Sequence, residues 1–118
     1  KTVPKMCLVA PARHGGVIST RTFIPHRVHD AIGVLGSVSV ATACRLPGSI
    51  AAEVSALEPS AGARRLDVEH PTGHFTVDID VDATTRPAAV RRAALLRTAR
   101  LLMRGEVFVP SQPRERAA

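Results

Sequence analysis

Phe75-Thr-Val-Asp-Ile-Asp-Val-Asp82 alternates without a break, with Phe75, Val77, Ile79 and Val81 on one parity and Thr76, Asp78, Asp80 and Asp82 on the other. A period of two over eight residues predicts a strand with one face on a core and one in water. The aspartates are then its wet face. A calcium site needs a loop with converging ligands, and strict alternation argues against one. Just upstream, Arg64–Glu69 reads as a second short strand, and His70-Pro-Thr-Gly73 as the bend between the two. Further back, Ile50–Leu57 reads as a strand and Pro59-Ser-Ala-Gly62 as a turn. At the start of the chain, residues 3–10 (Val-Pro-Lys-Met-Cys-Leu-Val-Ala) read as a buried strand stopped by Pro11. Pro11–Gly16 is a loop. Val17–Ile24 is a strand in which Ile18, Thr20, Thr22 and Ile24 alternate with their neighbours until Pro25 ends it.

Two stretches carry helical patterns instead. Ala31–Cys44 is apolar or small on every face, which predicts a helix buried all round. Asp30 stands where an N-cap belongs and Pro47-Gly48 where a helix stops. Gly33 and Gly36 each lower helix propensity by about 1 kcal/mol relative to Ala. Close packing of another backbone, or room for a ligand at the helix start, would offset that cost. Ala88–Met103 reads as an amphipathic helix, with Leu95, Leu96, Ala99, Leu102 and Met103 on one arc and Arg97, Arg100 and Arg104 opposite. Pro87 suits its first turn and Gly105 its C-cap. Glu106–Val109 follows as a last short strand. The order strand, strand, helix, three strands, helix, strand defines an α+β fold with mostly antiparallel pairing.

With 118 residues and 12.5 kDa, the chain has room for one domain, here residues 1–110, and a polar tail at 111–118. There is no Trp or Tyr, so Val, Leu, Ile and Ala must build the core. No run of about 18 apolar residues exists to span a membrane. No charged-then-apolar leader follows Lys1, and Cys7 and Cys44 make neither a disulfide framework nor a metal knuckle. Buried, reduced thiols in a cytoplasmic protein are therefore expected. Residues 86–118 hold eight arginines against two acids and account for the whole net charge of +6. A basic excess confined to one segment, with no aromatic residues interleaved to stack bases, reads as a solvated face and not as a nucleic-acid footprint.

Candidate chemistry clusters in two places. In the first, Arg21 lies on a strand that leads through His26 and His29 to the glycine-rich start at Gly33, Val34, Gly36 and Ser37. Free N–H groups at a helix start favour an anion. Arg21 can clamp a carboxylate with two prongs, and His26 or His29 can donate hydrogen bonds or move protons. The plainer alternative is that the glycines admit a crossing strand and the histidines cap loops. The second place is His70, Thr72 and Gly73, which as a plain bend is explained by Pro71 and Gly73. No pair of histidines has the spacing of a metal-ligand motif. A phosphate loop, a dinucleotide fingerprint and a nucleophile elbow are all absent, so no cofactor is implied.

Taken together, several stretches resemble the PrpF family, whose members have the diaminopimelate-epimerase-like fold. They are Val3-Pro-Lys-Met-Cys-Leu-Val-Ala-Pro11, Ile18-Ser-Thr-Arg-Thr-Phe-Ile-Pro-His26, His29-Asp-Ala-Ile-Gly-Val-Leu-Gly-Ser37, Ala41-Thr-Ala-Cys-Arg-Leu-Pro-Gly48, Glu69-His-Pro-Thr-Gly73 and Arg97-Thr-Ala-Arg-Leu-Leu-Met-Arg-Gly-Glu-Val-Phe-Val-Pro110. The resemblance implies a mostly antiparallel curved sheet wrapped around Ala31–Cys44 as a central helix. It also implies that the chain is a C-terminal portion of a two-domain enzyme whose active site lies between the domains. In epimerase relatives a catalytic cysteine stands at the helix start, where this chain has Gly33, and that removes a two-cysteine mechanism.

The reaction implied is a cofactor-independent 1,3-proton shift in an unsaturated di- or tricarboxylic acid such as 4-oxalomesaconate or 2-methylaconitate. Arg21, His26, His29, Gly33, Val34, Gly36, Ser37, His70, Thr72 and Gly73 would bind the substrate and stabilise charge. The proton-transfer groups would come from the missing N-terminal domain, and exposed interdomain surface would favour self-association into a homo-oligomer. The competing expectation is a non-catalytic binding domain derived from the same fold.

Overall fold

A computed structural model describes residues 4–57 and 64–109. Its elements in chain order are β1 (Met6–Ala10), β2 (Ile18–Phe23), α1 (Val34–Ala43), α2 (Ile50–Val54), β3 (Arg64–His70), β4 (Gly73–Asp82) and β5 (Ala89–Leu95). The strands form one mixed five-stranded sheet in the order β1-β2-β3-β4-β5. Only β2 and β3 run parallel, with Ile18 opposite Val68 and Ser19 opposite Glu69. Parallel neighbours need a crossover connection, and α1 and α2 lie within it. The fold is α+β, as the sequence predicts.

β4 behaves as its alternation requires. Val77, Ile79 and Val81 are buried, and with Leu66 and Val68 of β3 and Ile18 of β2 they meet Ile32, Val40, Ala41, Cys44 and Ala51 from the crossover. On the other parity, Asp78 and Asp82 pair with Arg92 and Arg91 of β5. These exposed pairs contribute little to stability individually, but they show why the acidic and basic runs occur together. They are two faces of one antiparallel ladder.

Several expectations are corrected. α1 runs over Val34–Ala43 and is buried along one stripe, Ser37, Val40 and Ala41, while Leu35 is 82 % exposed. Its sequence looks apolar on every face because the hydroxyls of Ser37, Ser39 and Thr42 bond carbonyls of the helix itself, at Val34, Leu35 and Val38. Gly33, not Asp30, is the N-cap, and it offers no side-chain cap. No strand crosses at the glycines: a Cβ on Gly33 would meet nothing within 4 Å, and one on Gly36 only the side chain of Ile32.

Ile50–Val54 is a helix instead of a strand, because the Ser49 hydroxyl accepts the Ala52 N–H at 3.0 Å and Ala-Ala-Glu follows in the first turn. β1 is an exposed edge strand, with Met6 58 % and Leu8 62 % exposed, and Cys7 on it is exposed too.

The amphipathic C-terminal helix does not form. Ala89–Leu95 pairs with β4 as strand β5, and residues 96–109 have no regular secondary structure, so the strand expected at Glu106–Val109 is absent. Ladder pairing overrides helix propensity in the first half. In the second half, a short amphipathic helix whose apolar arc has nothing to pack on is marginal in water, and Leu101, Leu102 and Met103 are all exposed. The expected turn at Pro59–Gly62 and the 111–118 tail lie outside the described residues. Among the described residues no helix is long and apolar enough to cross a membrane.

Candidate functional site

The β3–β4 hairpin closes with His70 opposite Gly73 and only Pro71-Thr72 between them. Proline at the first central position presets φ, and Gly73 takes φ +151, where an L side chain is disfavoured. This tight turn puts His70 and His74 beside each other at the end of the sheet. The Thr72 hydroxyl reaches across to the Asp30 carbonyl at 2.7 Å, so the hairpin tip is tied to the segment that leads into α1.

The β1–β2 loop comes to the same end of the sheet. Glu69 on β3 is 3 % exposed, and its carboxylate accepts the backbone N–H groups of Arg13 at 2.9 Å, His14 at 2.6 Å and Gly16 at 2.9 Å. Burial alone would push the Glu69 carboxyl up. The hydrogen bonds from Arg13, Gly16 and His14, with the nearby His14 charge, outweigh it and hold the group below its ordinary value. The loop lies so close to β3 that a Cβ on Gly16 would sit 2.6 Å from the Asp67 carbonyl oxygen. Glycine is required there.

Between loop and hairpin is a cavity of about 360 Å³, the size of a small-ligand site. Arg13, His14, Arg21, His70 and His74 line it, with Gly15, Gly16, Ser19, Pro71 and Gly73. Two acids also line it, Asp67 and Glu69, but both are engaged within the protein: Asp67 accepts the Thr76 hydroxyl and Glu69 the three loop amides. Arg21 gives one guanidinium nitrogen to the Thr20 carbonyl at 2.8 Å. It forms no ion pair with Asp30 or Glu69, so the rest of its planar fork is uncommitted. His70 titrates below its ordinary value, first because of burial and further because His74 and His29 are close, although hydrogen bonds with the His74 and Asp30 backbones pull the other way. The net effect favours the uncharged imidazole.

Of the residues singled out in the sequence, Arg21, His70 and Gly73 line this cavity, and Thr72 fastens its rim. His29 lies at the margin, with Nδ1 accepting the Ala31 N–H at 2.9 Å. His26 is exposed in the turn beyond β2. Gly33, Val34, Gly36 and Ser37 form the α1 start and do not line the cavity. Ser37 is fully buried and spends its hydroxyl on the Val34 carbonyl, which leaves it no donor for a ligand. Sequence reasoning missed Arg13, His14 and Glu69. The available signal was an arginine and a histidine immediately before Gly15-Gly16 in an inter-strand loop. Neither cysteine lines the cavity, and among the described residues no group of three or more His, Cys, Asp or Glu is placed to hold a metal.

A cavity lined by Arg13 and Arg21, whose own acids are internally satisfied, suits a small polyanion. The family profile for PrpF protein matches residues 1–110, and the chain belongs to that family. Over 109 residues it is 58 % identical to the (4E)-oxalomesaconate Delta-isomerase of Novosphingobium sp. strain KA1. It is 49 % identical over 110 residues to the 4-oxalomesaconate tautomerase of Pseudomonas putida KT2440. In both cases 92 % of this chain is covered, and the chain spans 29 % of the relative's length.

Proposed function

We propose that this chain is the carboxylate-holding part of a cofactor-independent isomerase that moves a proton across three carbons of an unsaturated di- or tricarboxylic acid, with 4-oxalomesaconate as the first candidate. The observation that carries the reading is the convergence of Arg13, Arg21, His70 and His74 on one cavity whose own acids are tied up. A substrate with several carboxylates and a developing enolate needs just such donors, fixed before the reaction begins. In this reading Arg21 clamps one carboxylate, and neutral His70 and the His74 side chain face the charge that builds as the proton leaves. No proton-transfer residue is assigned to this chain.

The chain would be the C-terminal portion of the second of two epimerase-like domains, closing the cleft against the first. Relatives more than three times its length support its being part of a longer protein, and the exposed side chains of Leu101, Leu102, Met103, Val107, Phe108 and Val109 suit a surface that another part covers. The test is to follow 4-oxalomesaconate tautomerisation by ultraviolet absorbance with the 118-residue chain and with the complete protein that carries it. The complete protein should turn over and the isolated chain should not. Turnover by the isolated chain near an ordinary enzyme's value of about 10 per second would overturn the half-site reading, and an inactive complete protein would overturn the substrate.

A further inference from the structure

We propose that Glu69 is a positioning residue: its carboxylate fills the amide nest of the 11–16 loop and so sets Arg13 and His14 at the rim of the cavity, where they meet a substrate carboxylate. The proposal rests on the carboxylate-binding reading above. Successive backbone N–H groups that converge in a turn make a concave anion site, and the amides of Arg13, His14 and Gly16 converge in this way. The anion they hold is internal. They are therefore not available to a ligand, and Arg13 and His14 can donate to a substrate only through their side chains. Arg13 and His14 are exposed and line the cavity while their amides are taken up by Glu69.

The loop is held to β3 by more than the carboxylate. Val17 N–H donates to the Asp67 carbonyl at 2.9 Å, and the Thr20 hydroxyl donates to the Glu69 carbonyl at 2.6 Å. Gly16 permits the contact, since a Cβ there would stand 2.6 Å from the Asp67 carbonyl oxygen and 2.7 Å from Glu69 Cγ. Register does the rest: Glu69 sits opposite Ser19 in the parallel β2–β3 pair and opposite His74 in the hairpin. One residue thus touches the loop, the strand that carries Arg21 and the hairpin that carries both histidines.

The experiment uses the complete protein with two variants. Glu69→Gln keeps the side-chain shape but turns one acceptor into a donor that opposes a loop amide. Gly16→Ala leaves the carboxylate intact and pushes the loop off β3. In each, hydrogen–deuterium exchange of the 12–17 amides is measured beside KM and kcat for 4-oxalomesaconate and the dissociation constant of tricarballylate, an unreactive tricarboxylate. In the wild type the His14 and Gly16 amides should be protected although their loop is exposed. Both variants should release that protection, raise KM and the tricarballylate dissociation constant about tenfold, and leave kcat within about threefold.

Exchange of these amides at free-peptide rates in the wild type would overturn the proposal even if neither variant folded. So would variants with released amides and unchanged binding. Should the wild type neither turn over 4-oxalomesaconate nor bind tricarballylate, the functional reading falls, and the exchange result alone decides whether Glu69 sets the loop.

Discussion

Thr72 and Asp30 are joined by a hydrogen bond of 2.7 Å from the Thr72 hydroxyl to the Asp30 carbonyl, across 42 residues of sequence. It is the bond that ties the hairpin bearing His70 and His74 to the segment entering α1, and it joins the two regions where the sequence concentrates its candidate chemistry. Thr72→Val keeps the shape of the side chain and removes the donor. Because the bond is exposed and water can replace it, the stability loss should be small, about 0.5–1 kcal/mol. In the complete protein KM for 4-oxalomesaconate should rise several-fold while kcat changes less, since the hairpin tip loses its tether. A melting shift without any change in KM would make the bond a structural one only.

Arg21 has two readings from the sequence, a clamp for substrate or a partner for Asp30 or Glu69. The structure removes the second, because neither acid pairs with it and Glu69 is taken up by loop amides. Arg21→Lys keeps the charge and loses the planar fork. Loss of one charge-assisted hydrogen bond of roughly 1.5–3 kcal/mol corresponds to a ten- to hundred-fold fall in kcat/KM. The melting temperature should stay within about two degrees of wild type. Unchanged kinetics would take Arg21 out of the site.

The residues that proved legible were those whose local pattern admits one solution. The alternation from Phe75 to Asp82 can only be a half-buried strand, and Pro71-Thr72 between two strands can only be a tight turn. Ala88–Met103 was misread because its helical arc is real as sequence but β4 offers Ala89–Leu95 a ladder, and pairing between strands is not visible in a local window. Ile50–Val54 was misread for the opposite reason: the Ser49 cap that decides it lies just before the apolar run. In the site, Arg21, His70 and Gly73 could be found from types and spacing. The contact of Arg13, His14 and Gly16 with Glu69 could not, since it is made by hydrogen bonds between residues 53 to 56 apart that follow from the parallel β2–β3 pairing. A buried acid satisfied by amides leaves no charged partner in the sequence to give it away.

The two thiols should separate cleanly. Cys7 is exposed on the edge strand, while Cys44 is 5 % exposed at the end of α1. Burial pushes the Cys44 thiol from 9.0 up to about 11, only partly countered by hydrogen bonds to its own backbone and to Ser55. At pH 8 a thiol titrating there is thiolate about one part in a thousand, and the thiolate is the species that reacts. A disulfide reagent should therefore label one cysteine per native chain rapidly and the second only in denaturant. Rapid labelling of two would show that α1 does not stay packed on the sheet.

Acid should expose the Glu69 pin through stability. Its carboxyl titrates below the ordinary 4.5 in the folded protein, because the hydrogen bonds of Arg13, Gly16 and His14 outweigh the opposing cost of burial. Between the depressed value and 4.5 the unfolded chain binds the proton and the folded one does not, so stability falls as pH falls through that window and is whole above it. Glu69→Gln has no proton to bind. Above about pH 5 the wild type should be the more stable of the two by about 1.5–3 kcal/mol, the range for hydrogen bonds to a charged group. The gap should narrow steadily as the pH is lowered from 4.5 toward 3. Asp82 is also held low, by the Thr84 hydroxyl and amide and by Arg91, but it is present in both proteins and cancels in the comparison. Melting temperatures of the pair at half-unit steps from pH 6 to pH 3 measure the gap, and one that stays constant over that range would mean that the loop amides do not hold an ionised Glu69.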